Sequence, residues 1–234
     1  MISDLAGRFR RHDRPVRHRS LAFSVLGPCG LFAAGLLAEY LLGGVKYSSI
    51  GDTMSVLASI KQTAVVTTIG FVWCSLCQII TATGLPVRRI ARIALAVAGV
   101  CGLVVAACPV GVNAFPGMTT IHFAAAAIGT TILAIWPLLS ASRAPGTPLP
   151  FRPVVATMAT IALLALLAWL LSQSINGSML GLVERLAVYG GVTWPAIATW
   201  WAYRHYRDEG RLPARVTGAT EVAGAAEPVG VQPS

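Results

Sequence analysis

Apolar runs separated by short polar stretches set the pattern of this chain. Six runs stand out, at residues 21–42, 63–83, 90–108, 119–139, 154–171 and 182–203. A helix needs about 20 mostly apolar residues to cross a bilayer, and all six runs come near that length. All are longer than a buried strand. The stretches between them gather Gly, Pro, Ser and Arg, which punctuate helices. The fourth run ends near Pro137, and the linker 141–150 holds three prolines and a glycine, a composition that no helix interior tolerates. The pattern predicts an all-α integral membrane protein, a bundle of six transmembrane helices forming one membrane domain over 21–204. Residues 1–20 read as a basic tail that cannot bury a core. The first apolar run is too long for a signal-peptide core and further spans follow it, so it reads as an uncleaved first helix. Residues 205–234 read as a tail, with the Ala-, Gly-, Val- and Pro-rich part after Arg215 expected to be disordered.

Composition agrees with this pattern. Charged residues make up 12% of the 234 residues and hydrophobic ones 55%, whereas a soluble domain carries about 25% charged residues. The net charge of +9 would point to nucleic acid in a soluble protein. Here the charges sit in the tails and short loops, which excludes that reading and makes them topology signals. Fifteen of the 18 Lys and Arg fall in the two tails and in the loops after spans two and four. The positive-inside rule then places both termini in the cytoplasm, at the cell membrane. Trp200, Trp201 and Tyr203 close the last span, where an inner aromatic belt is expected. The partners implied are the lipid bilayer and a hydrophobic or amphipathic small molecule, with no nucleic acid; a homo-oligomer is left open. Gly30, Gly35, Gly70, Gly99, Gly102, Gly190 and Gly191 are small residues suited to close helix contacts. The five cysteines lie inside spans and read as small apolar residues. Cys74-x-x-Cys77 has no second pair. Spans one to three do not resemble spans four to six, which weakens a transporter reading.

With the topology set, the costly polar residues can be ranked by depth. Glu39, Asp52 and Glu184 are the three of nine acidic residues outside the cytoplasmic segments. All three lie at the outer membrane boundary, with Tyr47, Ser55, Pro109, Asn113, His122, Gln173, Asn176 and Arg185. An ionisable group at membrane depth is a functional hypothesis by default. Asp52 or Glu39 is the candidate general acid, His122 the complementary base, and Arg185 would orient Glu184 or hold an anionic head group. Tyr47 and Ser55 belong to the pocket wall. Trp73, Tyr189 and Trp194 are candidates to stabilise a carbocation by cation–π contact. Each residue also has a plainer role open to it. Glu184-Arg185 can be a structural pair at a helix start, and His122 can donate to a backbone carbonyl. Glu39 can pair with Lys46 or Arg185, and Asp52 can cap a short helix beginning at Thr53. His122 is the single histidine at the outer level, so three-histidine zinc and bis-histidine haem are excluded within one chain, and HExxH, GxSxG, P-loop and GxGxxG motifs are absent. No metal and no cofactor is expected.

Three segments together resemble a known family. They are Tyr47-x4-Asp52-Thr53-Met54-Ser55-x-Leu57, Cys108-Pro109-x9-Thr119-x2-His122, and Gly181-Leu182-x-Glu184-Arg185 with Trp194 nine residues on. In order and spacing they are similar to the bacterial membrane family catalogued as domain of unknown function 998. The resemblance covers roughly residues 21–204, implies about six spans, and makes Asp52, Ser55, His122, Glu184 and Arg185 motif positions. The chain departs from it after Pro109, where no acidic residue follows. The leading expectation is a metal-independent acid/base enzyme acting on a lipid or isoprenoid-like substrate, for example a cyclase or isomerase. The alternatives are a protein that binds or transports a small solute or lipid, and an accessory membrane subunit.

Overall fold

A computed structural model of the protein describes residues 16–110 and 117–208. The expected tails therefore fall largely outside the described residues, as does Asn113. Every regular element among the described residues is helical. α1 spans His18–Tyr40, the short α2 Met54–Leu57, α3 Ala64–Gly84, α4 Arg89–Ala107, α5 Met118–Ser140, α6 Pro153–Asn176 and α7 Leu180–Asp208, with one 3-10 turn at Leu149–Phe151. Five of them, α1, α3, α4, α5 and α6, are long and apolar enough to cross a membrane, so the chain is a multipass helical membrane protein. α7 is the longest at 29 residues. It is less apolar, because Glu184 and Arg185 stand near its start and Arg204, Arg207 and Asp208 near its end.

The long helices form a ring. Each packs on the next in sequence, α7 closes the ring against α1, and α5 touches α7 across it. In lipid there is little hydrophobic gain between helices, so close approach of small residues has to hold the seams. A Cβ added at Gly70 would meet the Ala34 methyl at 2.5 Å, one at Gly99 the Ser75 carbonyl at 2.8 Å, and one at Gly129 the Cys101 Cβ at 2.9 Å. Two indoles cross-link the ring. Trp73 donates to the Leu26 carbonyl and Trp136 to the Ala91 carbonyl, both at 2.8 Å.

Some boundaries differ from the sequence reading. α1 begins at His18, inside the stretch expected as tail. α5 runs through Pro137 to Ser140, as membrane helices can carry a proline, and in its last turn the Ser140 hydroxyl donates to the Pro137 carbonyl at 2.8 Å. α6 extends past residue 171 to Asn176, so Gln173 and Asn176 sit in its last turns rather than in a loop.

The two ends of the bundle differ in chemistry. At one end Arg17 donates its backbone N–H to Gly84, the His18 ring packs edge-on to Tyr203 at 5.6 Å, and His205 bonds to the Gly146 carbonyl at 2.8 Å. That end gathers the basic loops. The opposite end carries Glu39, Tyr47, Asp52, Ser55, His122, Glu184 and Arg185.

Candidate functional site

The segment 47–53 is a turn strapped onto the start of α7. Inside it the Asp52 N–H donates to the Ser48 carbonyl at 2.7 Å, and the Ser48 N–H donates to Asp52 Oδ2 at 2.8 Å. The Asp52 carboxylate thus closes its own turn. The cap of α2 is Thr53, whose hydroxyl accepts from the Val56 N–H at 3.2 Å. Arg185 reaches over this turn. Its Nη1 donates to the carbonyls of Ser49, Asp52 and Gly181 at 2.9, 3.1 and 3.0 Å. Its Nη2 pairs with Glu39 at 3.0 Å and donates to the Tyr47 hydroxyl. Burial raises the pKa of Tyr47, and its single hydroxyl proton is shared between the Asp52 and Thr53 carbonyls, each at 3.3 Å.

Gly181 makes the strap possible. The Leu182 N–H reaches the Ile50 carbonyl at 3.0 Å, which brings the turn so close that a Cβ at 181 would overlap the Asp52 carbonyl and meet the Ser49 carbonyl at 2.9 Å. Both obstacles are backbone and cannot rotate away. Gly181→Ala is expected to cost about 1–3 kcal/mol, the usual range for overpacking. It should also speed amide exchange across 47–53; unchanged exchange would contradict the strap.

Immediately below the turn lies the second half of the site. Ser55 Oγ is 2.8 Å from His122 Nε2, and His122 Nδ1 is 2.7 Å from the Cys108 carbonyl. A carbonyl only accepts, so Nδ1 carries the proton. In the neutral ring Nε2 is then the acceptor, and the Ser55 hydroxyl donates to it. Both side chains are buried, at 7% and 2% exposure. Cys108 is the C-cap of α4. Its carbonyl belongs to the orphan set at a helix end, which leaves it free for His122. Glu184 comes from the other side, where Oε2 accepts the Met54 N–H at 2.5 Å and holds the first residue of α2 in place.

Ser55, His122 and Glu184 share one cavity of about 100 Å³ inside the ring. Its walls come from α1, α2, α3, α4, α5 and α7, with Phe71, Leu133 and Val188 among the apolar ones and Ser75, Gln78 and Thr130 adding polar atoms. α6 contributes nothing to it. A cleft of about 150 Å³ between α1 and α7, lined by Phe32, Glu39, Arg185 and Tyr189, shares Met54 with this cavity. At the basic end a larger cleft of about 540 Å³ is lined by Arg17, Arg89, Arg92 and apolar or backbone groups, with no carboxylate or histidine among them.

The sequence-predicted residues therefore separate into groups. Ser55, His122 and Glu184 meet at the cavity. Asp52, Tyr47, Arg185 and Glu39 form the strap, with Glu39 paired to Arg185 rather than Lys46. Tyr189 lines the side cleft, edge-on to Phe32 at 5.5 Å. Trp73 is 41% exposed on the α1–α3 seam, away from the cavity wall. Trp194 is packed against the core, and its buried indole N–H has no protein partner. The plainer reading of His122, a bond to a backbone carbonyl, gains its partner in Cys108, and the cap of the short helix is Thr53 rather than Asp52. The Cys-Pro pair at 108–109 was the available signal for that partner, because a proline just past a helix end leaves the preceding carbonyls uncommitted.

The three sequence segments are thus one contact set. The first segment touches the third through Arg185, Gly181 and Glu184, and touches the second through Ser55 and His122. A family model described as protein of unknown function (DUF998) matches residues 25–201 of the chain. No curated protein and no solved structure matches it.

Proposed function

From the premise that the chain belongs to the DUF998 family, we propose that it is a membrane enzyme doing acid–base chemistry on a lipid or isoprenoid-like substrate. The observation that carries this reading is the hydrogen-bonded Ser55–His122 pair, its tautomer held by the Cys108 carbonyl, opening with Glu184 into one largely apolar cavity. His122 Nε2 is the base, and Glu184 is the second group able to exchange a proton in the same space. Asp52 and Glu39 are not the acid in this reading, since neither lines the cavity that Ser55, His122 and Glu184 share: the Asp52 carboxylate closes its own turn and Glu39 pairs with Arg185 in the side cleft. The apolar walls suit a hydrocarbon chain, which the side cleft between α1 and α7 can admit from the bilayer.

In the same reading α7 is the sixth span and both termini are cytoplasmic. The concentration of Lys and Arg at the end of the bundle away from the cavity supports that orientation, and it puts the cavity at the outer boundary.

The test compares total lipid extracts by mass spectrometry from cells lacking the protein, expressing it, and expressing His122→Gln. Glutamine can still bond to Ser55 or Cys108 but cannot cycle a proton at neutral pH. A lipid species that changes with the intact protein and not with the variant is expected. The same change in the variant, or no change at all, would remove the proposal.

A further inference from the structure

Several buried hydroxyls in this bundle bond within their own helix, and Ser55 does not. Thr67, Thr81 and Thr199 each donate to the carbonyl four residues back, and Ser24 and Ser140 to the carbonyl three back. That is how a hydroxyl is satisfied inside an apolar helix bundle. Ser55 instead turns across the bundle to His122, 67 residues away.

We infer that Ser55 is a nucleophile and that the substrate is an ester-bearing lipid undergoing acyl transfer. This rests on the acid–base reading above and deepens it. The order carbonyl–imidazole–hydroxyl is the arrangement that activates a serine, with the carbonyl fixing the tautomer and favouring the imidazolium as it forms. The surroundings complete the case. On the inner side Ser55 and His122 face the largely apolar cavity, whose walls suit an acyl chain entering from the bilayer. On the outer side they line a second space of about 10 Å³ with Pro109 and Val110, close to the room one water needs.

The steps balance as follows. Ser55 Oγ adds to the ester carbonyl carbon and its proton passes to His122 Nε2. The carbon–oxygen bond to the alcohol breaks, and His122 returns that proton to the departing oxygen. Water then attacks the acyl-serine and gives a proton to His122. The carbon–oxygen bond to Ser55 breaks, the carboxylic acid leaves, and His122 reprotonates Ser55. Glu184 is a positioning residue here, because its hold on the Met54 N–H sets where α2 presents Ser55.

The experiment treats the purified full chain, in nanodiscs, with a long-chain alkyl fluorophosphonate and maps the adduct by peptide mass spectrometry. One phosphonyl group on Ser55 is expected, absent in Ser55→Ala and formed about 10²-fold or more slowly in His122→Gln, the usual worth of a general base. No adduct on the intact protein, under conditions that label a control serine hydrolase, overturns the inference whatever the variants do. Labelling that is equally fast in His122→Gln overturns it too. The lipid comparison separates this inference from the broader one. A lipid change that survives Ser55→Ala but not His122→Gln removes the nucleophile and leaves acid–base chemistry standing.

Discussion

Arg185→Met is expected to destabilise the folded protein by about 3 kcal/mol or more, the cost of removing one member of a largely buried ion pair. The Arg185 side chain is 14% exposed and that of Glu39 30%, so Glu39 would be left short of both a partner and full hydration. A further part of the loss lies elsewhere. Arg185 also satisfies the carbonyls of Ser49, Asp52 and Gly181, and bonds to a charged donor contribute about 1.5–3 kcal/mol each. Of these three carbonyls that of Asp52 keeps the Tyr47 hydroxyl as a donor, so the loss falls most heavily on the Ser49 carbonyl and adds to that of the charge pair. Glu39→Gln should cost clearly less, because its amide oxygen still accepts and the residue is the more exposed of the two. Thermal unfolding of the detergent-solubilised variants measures the difference. If Arg185→Met is no worse than Glu39→Gln, the guanidinium is a minor tie and the account of the strap fails.

Ser55→Ala and His122→Gln should each reduce turnover by about 10²–10⁴-fold, the range for a positioned base, and the double variant should be no slower than the worse single one. Residues that act as one proton-transfer unit lose their joint contribution at the first deletion, so their effects do not multiply. Multiplying effects would mean that the two side chains serve separate steps, despite the 2.8 Å between them. The readout is the conversion rate of the lipid species found in the extract comparison.

Depth was legible in the sequence and azimuth was not. Apolar run length and charge placement marked the long helices, and the same reasoning put Glu39, Asp52, His122 and Glu184 at one level. Which way each points around its helix depends on the neighbours, and six helices of similar composition offer many pairings. Trp73 was expected to face a substrate and instead ties α3 to α1 from the outside, where a Cβ on Gly30 would strike its ring. Asp52 looked like an acid because a carboxylate at a membrane boundary is costly; a tight turn meets that cost locally through the Ser48 N–H. The sequence marks Glu184 as one of several candidates, and its distinction is a backbone partner 130 residues away, which no local pattern carries. Ser55 is legible in the sequence as part of the pocket wall and as a motif position, but its bond to His122, 67 residues away, is not.

The strap also sets the order in which the protein can be made. Met54 meets Glu184 across 130 residues of chain, and the turn before it leans on Gly181, Leu182 and Arg185. At synthesis rates of about 5–20 residues per second, the first loop waits on the order of ten seconds before its anchor emerges from the ribosome. A chain interrupted before α7 carries Ser55 and His122 but lacks the Glu184 carboxylate that holds the Met54 N–H. The contact of α7 with Met54 and with α1 thus completes the site and closes the ring in one step.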